Sequence, residues 1–267
     1  MSGVIKQIDK TIYGPVLSWR FGKSLGIDVI FEISTCSFNC IYCQLGQIQR
    51  VTPERKVYIS SEKVINDLKE FLSKNIEFDV ITFSGSGEPT LATNLGEIAS
   101  EIKKLCPDKP LQVLTNSTML LLPEVQKDLE LIDRVICKLD AANDKTLKQI
   151  NRPAENINIE NIVAGIKSFK QSFKGILDIQ MMFMPLNLAQ IEDLANLLNE
   201  IQPASVQLNT PLRPYPMQWH RENRGNHLPE DLTETRQLKV ISKEEAEFIE
   251  KTLKDKTGLN ISSVYRE

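Results

Sequence analysis

Cys36, Cys40 and Cys43 fall within "TCSFNCIYCQLG" (35–46) and account for three of the five cysteines in a chain of 267 residues. Thiolates are soft ligands that select zinc, copper(I) or iron–sulfur clusters. A structural zinc site closes with four ligands, commonly two CxxC pairs or cysteines joined by histidine. No second pair exists: Cys106 precedes a proline and Cys137 sits in an apolar run, places suited to small buried residues. His220 and His227 stand far along the chain, so either could complete a zinc site only if the fold returned it to the cysteines. A cubane 4Fe-4S cluster normally takes four cysteines, and three would leave one iron open to a substrate or cofactor. Spacings of three and two residues in one loop let the side chains converge on three corners of a cube.

A second candidate is "TFSGSGEPTL" (82–91). Glycines there permit a tight turn and close backbone approach to a ligand. Glu88 offers an acceptor and Pro89 fixes the exit of the turn. On its own, a glycine-rich turn after a strand serves structure as readily as function.

Positioning such loops calls for a scaffold, and the pattern supplies one. Short β-branched or apolar runs at 25–33, 78–85, 111–116, 134–141, 175–184 and 204–211 alternate with stretches of helical periodicity at 60–74, 94–105, 122–130, 158–173 and 188–200. That alternation predicts repeated βα units around a parallel sheet. Six units predict an α/β fold, a partial (β/α)6 TIM-like barrel that stays open rather than closing with eight strands. Residues 1–24 and 212–267 then form short N- and C-terminal extensions around a core at 25–211, with a last helix capped at Ser242 and stopped at Gly258. Ligands in such folds gather at the C-terminal strand ends. Both loops fall there.

Composition narrows the classes further. A hydrophobic fraction of 41% and a charged fraction of 25% are those of an ordinary globular protein. No long apolar run or leader is visible, so no membrane association and a cytoplasmic location are expected. A net charge of −3 gives no global attraction to nucleic acid. Locally, Arg20, Lys23, Arg50, Arg213, Arg221 and Arg224, interleaved with Trp19, Tyr215 and Trp219, predict either a basic surface at the barrel mouth or cationic stems packing the extensions.

CxxxCxxC on the loop after the first strand resembles the signature of the radical S-adenosylmethionine superfamily. The resemblance implies that Cys36, Cys40 and Cys43 ligate a 4Fe-4S cluster whose open iron chelates S-adenosylmethionine. Reductive cleavage would then give a 5'-deoxyadenosyl radical. Tyr42 fills the aromatic position that lies near the adenine in that family. Gly85, Ser86, Gly87, Glu88 and Pro89 resemble its Gly-Gly-Glu-Pro element, with Ser86 in place of the first glycine. Thr115, Asn116, Lys138 and Asp140 match cofactor-lining strand ends more loosely, and Asn209 and Thr210 fall on the substrate side. "YGPVLSWRFGKSLGIDV", "LDAANDKTLKQINRP" and "VQLNTPLRP" extend the likeness to a group described as iron-sulfur oxidoreductases, similar in its core to wybutosine-type tRNA synthases. An external one-electron donor of flavodoxin or ferredoxin type is implied, and RNA, a peptide or a small molecule stay open as substrate. The alternative is a non-catalytic iron-sulfur or zinc-binding protein.

Overall fold

The computed structural model describes residues 9–226 and 234–266, so His227 lies outside the described residues. Among the described residues twelve strands run in chain order: β1 Ile12–Ser18, β2 Gly22–Ile27, β3 Thr35–Cys36, β4 Arg50–Val51, β5 Val80–Phe83, β6 Leu111–Thr115, β7 Arg134–Lys138, β8 Ile176–Met182, β9 Ser205–Asn209, β10 Tyr215–Pro216, β11 Thr235–Arg236 and β12 Ile261–Ser263. Eight of them form one sheet in the order β1-β2-β5-β6-β7-β8-β9-β12. All neighbours from β2 to β12 are parallel, and β1 is antiparallel to β2. β1 and β12 are the two ends and do not pair, so the barrel is partial, as the six-unit pattern predicts.

The helices are α1 Ser61–Leu72, α2 Leu95–Leu105, α3 Pro123–Asp128, α4 Asp144–Ile150, α5 Ile159–Ser172, α6 Ile191–Ile201 and α7 Lys243–Thr257. Their boundaries follow from local chemistry. Ser60 caps α1 by accepting from Lys63 N at 3.2 Å. Ser242 and Glu245 form a reciprocal capping box on α7, which ends on Gly258 at φ +67°. β5 is buried along its whole length, as expected of a strand covered by helices on one face and a filled lumen on the other.

Several features differ from the sequence expectation. The first parallel strand ends at Ile27, and residues 28–33 leave the sheet because Asp28, 0% exposed, turns inward and accepts from Ile30 N and Phe31 N at 3.0 and 2.8 Å. β1, with Pro15 in its middle, pairs as an edge strand whose register slips between Tyr13 and Val16. α4 is an additional helix, capped by Asn143 accepting from Thr146 N at 3.0 Å. The boundary at 24/25 falls inside β2, and β12, in the last segment, extends the sheet beside β9.

Candidate active site

The two motif loops are hydrogen-bonded to each other. Thr35 N donates to Ser86 O at 3.0 Å and Glu88 N to Thr35 O at 3.1 Å, a parallel bridge opposite Gly87. A Cβ on Gly87 would lie 1.7 Å from Thr35 O, so glycine is needed here for the approach of one backbone to another. On its other side the cysteine loop pairs with β4, through Thr52 N to Cys36 O at 2.9 Å. Its far end is bound by residues 150–154: Asn39 N donates to Asn151 O, Ile41 N to Ile150 O and Ala154 N to Ser37 O, at 2.9, 2.9 and 2.8 Å. Three segments from distant parts of the chain thus hold the thiols in place.

Cys36, Cys40 and Cys43 are half-buried free thiols in the wall of one cavity of about 510 Å³. Each sulfur has a donor. Phe38 N and Asn116 Nδ2 reach Cys36 Sγ at 3.4 and 3.5 Å, Asn151 Nδ2 reaches Cys40 Sγ at 3.4 Å, and the Leu45 amide bonds Cys43. Burial pushes the Cys40 thiol up to about 12 and Cys43 to about 11; Cys36 rises well above its usual value through burial and the Glu88 carboxylate. Three thiolates together are unfavourable here without a cation, whereas a coordinating metal deprotonates thiols and restores the balance. Among the described residues no three His, Cys, Asp or Glu side chains are gathered around a point that would hold a single ion. His220 N donates to Leu45 O of this loop at 3.3 Å.

Of the further sequence-predicted residues, Tyr42, Gly85, Gly87, Glu88, Thr115, Asn116 and Lys138 line this cavity, together with Asn209 and Thr210. Ser86, Pro89 and Asp140 do not; they are scaffold around it. Ser86 gives both N and Oγ to Asp28 Oδ2, at 3.0 and 2.6 Å. Pro89 opens a buried 3₁₀ turn. Asp140 has no acceptor capacity left over: Oδ1 takes Met182 N at 2.7 Å and Lys138 Nζ at 3.3 Å, and Oδ2 takes the Tyr42 hydroxyl and Asn151 Nδ2, the latter at 2.8 Å. Glu88 is engaged in the same way. Oε1 accepts from Thr90 N, Thr90 Oγ1 and Thr115 Oγ1 at 3.0, 2.7 and 2.7 Å, and Oε2 from Asn116 N at 2.6 Å. The acceptor read from the sequence thus fixes the end of β6, while Oε2, with one donor, stands in the cavity wall.

Asn151 was not singled out in the sequence. Its amide joins Cys40, Tyr42 (3.3 Å to the hydroxyl) and Asp140 from the C-terminal end of α4, a helix the sequence pattern did not mark.

The late loop is a second wall of the cavity rather than a basic rim. Arg224 is buried and pairs with Asp28 at 3.1 Å, its side chain 3% exposed and that of Asp28 0%. It also donates to Lys10 O at 3.0 Å and lies over the Tyr13 ring. Arg221 stacks on Phe31 at 4.6 Å and donates to Glu32 O at 3.3 Å. Arg20 covers Trp19 and Phe21 in the β1–β2 turn, at the opposite end of the strands from the cysteines, and neighbouring Lys23 pairs with Glu77. Arg221 and Arg224 thus pack the extensions through their stems, the second of the two expectations, while Arg20, Arg213 and Arg224 all line the cavity.

Comparisons with known proteins agree with this geometry. Residues 33–198 match the family model described as the Radical SAM superfamily. UPF0026 protein slr1464 of Synechocystis sp. is 48% identical over 217 residues, 81% of either chain. UPF0026 protein MJ1312 of Methanocaldococcus jannaschii is 34% identical over 207 residues, 76% of this chain and 64% of that protein. A radical SAM methyltransferase from Sphaerobacter thermophilus superposes with a TM-score of 0.62 at 14% identity, over 90% of this chain and 65% of its own. Streptococcus suis SuiB bound to S-adenosylmethionine gives 0.57 at 14% identity, over 88% and 49%. At that identity the likeness is one of fold, and the chain spans only half to two thirds of those structures. No helix among the described residues is long and apolar enough to cross a membrane. With the cysteine loop, the glycine turn and the open sheet in this arrangement, the chain belongs to the radical S-adenosylmethionine superfamily and is an enzyme whose cofactors are a 4Fe-4S cluster and S-adenosylmethionine.

Proposed function

We propose that Cys36, Cys40 and Cys43 ligate the cluster, and that Gly85, Gly87, Tyr42, Asn116 and Lys138 face the S-adenosylmethionine bound to its open iron. When bound, that pair supplies a 5'-deoxyadenosyl radical that removes hydrogen from a substrate, after an electron arrives from an external donor of flavodoxin or ferredoxin type. The observation that carries this reading is the set of three separately supported sulfurs in one cavity wall, beside the glycine turn. A single chelated zinc would want its donors gathered about one point. The chain's own contribution is electrostatic and positional. Amides aimed at the sulfurs favour negative charge there, and the Asp140 and Glu88 networks fix Tyr42, Lys138, Thr115 and Asn116 around the cavity.

Anaerobic reconstitution with iron and sulfide, followed by reduction in the presence of S-adenosylmethionine, should yield 5'-deoxyadenosine. A colourless product carrying one zinc and no cleavage would overturn the reading. Cys40→Ala is expected to lose most of the iron and at least about a hundredfold of cleavage, in the range seen when metal-site partners are removed. Its circular dichroism should stay native, because Cys40 is only partly buried against a core built mainly by the strands and helices of the barrel.

Asn151→Leu gives a finer test. Removing an N–H donor from Cys40 Sγ destabilises the more negative reduced cluster, so the midpoint potential should fall by on the order of tens of mV, where about 59 mV is a tenfold change for one electron. Potentiometric titration followed by electron paramagnetic resonance measures it. An unchanged potential would show that the amide serves only Asp140.

A further inference from the structure

Asn223 is 2% exposed, lines the same cavity as the cysteines, and has no hydrogen-bond partner for Nδ2 or Oδ1 among the described residues. A buried amide left in that state destabilises a fold, so asparagine at this position needs a reason. Local conformation does not give one. Its φ is not positive, and the turn it closes uses its backbone, Asn223 N to His220 O at 3.1 Å.

The backbone around it is nevertheless held on both sides. On one side His220 N bonds Leu45 O, two residues beyond Cys43; on the other, Arg224 is held by Asp28. Gly225 then lies against Val16 and Tyr13 of β1, so Asn223 stands on the β1 flank of the cavity. Tyr42 and Lys138 stand on the opposite flank, where Lys138 lies 5.0 Å from the Tyr42 ring at the end of β7. The inference rests on the function proposed above: with the adenosyl group on the Tyr42–Lys138 side, the partner of Asn223 is the substrate.

We propose that Asn223 is a specificity-determining residue that binds the substrate by a planar edge carrying an adjacent hydrogen-bond donor and acceptor, as in a lactam, a carboxamide or an amide-containing heterocycle. A primary amide presents one N–H donor and one C=O acceptor side by side, the complement of that edge. A site with such a pair rejects analogues that leave it unpaired. The cavity of about 510 Å³ is of small-molecule size. The cations flanking Asn223 are committed within the protein, Arg224 to Asp28 and Arg221 to Glu32 O and Phe31, so the flank suits an uncharged small molecule better than a phosphate-bearing polymer.

The test uses the full chain, reconstituted and loaded with S-adenosylmethionine, with uracil and nicotinamide as probes and toluene as a control without the edge, read by saturation-transfer NMR. At least one of the two amide probes should bind the wild type, bind Asn223→Leu at least about tenfold more weakly, and recover in part with Asn223→Gln. Equal binding to Asn223→Leu, absence of both probes from the wild type, or an equal loss of toluene would overturn the proposal. Thermal unfolding of the iron-free chain provides an independent arm. Asn223→Leu should unfold at a higher temperature than wild type if the amide is kept for a ligand, and at a lower one if it holds the loop together. Iron content measured on the same samples reports the cluster reading separately, since its loss from wild type would fail that reading and leave the iron-free comparison intact.

Discussion

Asp28→Ala is expected to lower the unfolding free energy by about 4 kcal/mol, the range for removing one partner of a buried ion pair. The variant strands the Arg224 guanidinium and also leaves Ile30 N, Phe31 N, Ser86 N and Ser86 Oγ without their acceptor. Urea denaturation followed by circular dichroism measures the loss. Arg224→Met together with Asp28→Ala should cost less than the two single changes added, because neither charge is then left alone. Full additivity would mean that the two groups act independently despite their 3.1 Å separation.

Gly87→Ala should damage the site more than the fold. Its Cβ would stand 1.7 Å from Thr35 O, and no side chain can yield because the obstacle is backbone. The bridge between Thr35 and Gly87 must open, moving the loop that carries Cys36 away from the turn that ends in Glu88. A misplacement of about 1 Å is enough to cost on the order of a hundredfold in rate. Reconstituted Gly87→Ala is therefore expected to hold less iron and to form 5'-deoxyadenosine at roughly a hundredth of the wild-type rate. Its unfolding midpoint should drop by less than that of Asp28→Ala. Wild-type iron content in Gly87→Ala would show that the two loops load the cluster independently.

The residues of the scaffold were legible in the sequence to different degrees, for physical reasons. β5 and the middle of β7 announce themselves through continuous apolar character, "VITF" and "VIC", because both are fully buried there. β1 hides because proline and exposed Leu17 break the pattern of a strand that has only one neighbour. β12 is three residues long, too short to carry a period. At the site, the three cysteines and the glycine turn stand out because their residue types are costly to use by chance. Asp28, Asn151 and Arg224 do not, since an acid inside an apolar run, an asparagine after a helix and an arginine in a loop each look ordinary alone. Their meaning comes from partners 58, 111 and 196 positions away. Glu88 shows the converse: the motif marks the residue, but only the fold reveals that its oxygens are turned toward Thr90, Thr115 and Asn116.

The contact between Arg224 and Asp28 also sets an order of assembly. It joins positions separated by 196 residues, so the entropy of closing that loop must be met before the cavity has its second wall. A chain emerging from the ribosome presents the cysteine loop and the glycine turn long before residue 224 exists. During that interval the wall that Asn223, Arg224 and Gly225 contribute to the cavity does not yet exist. The cavity therefore gains its late-loop wall only after the segment that carries Arg224 has been made and has closed on Asp28.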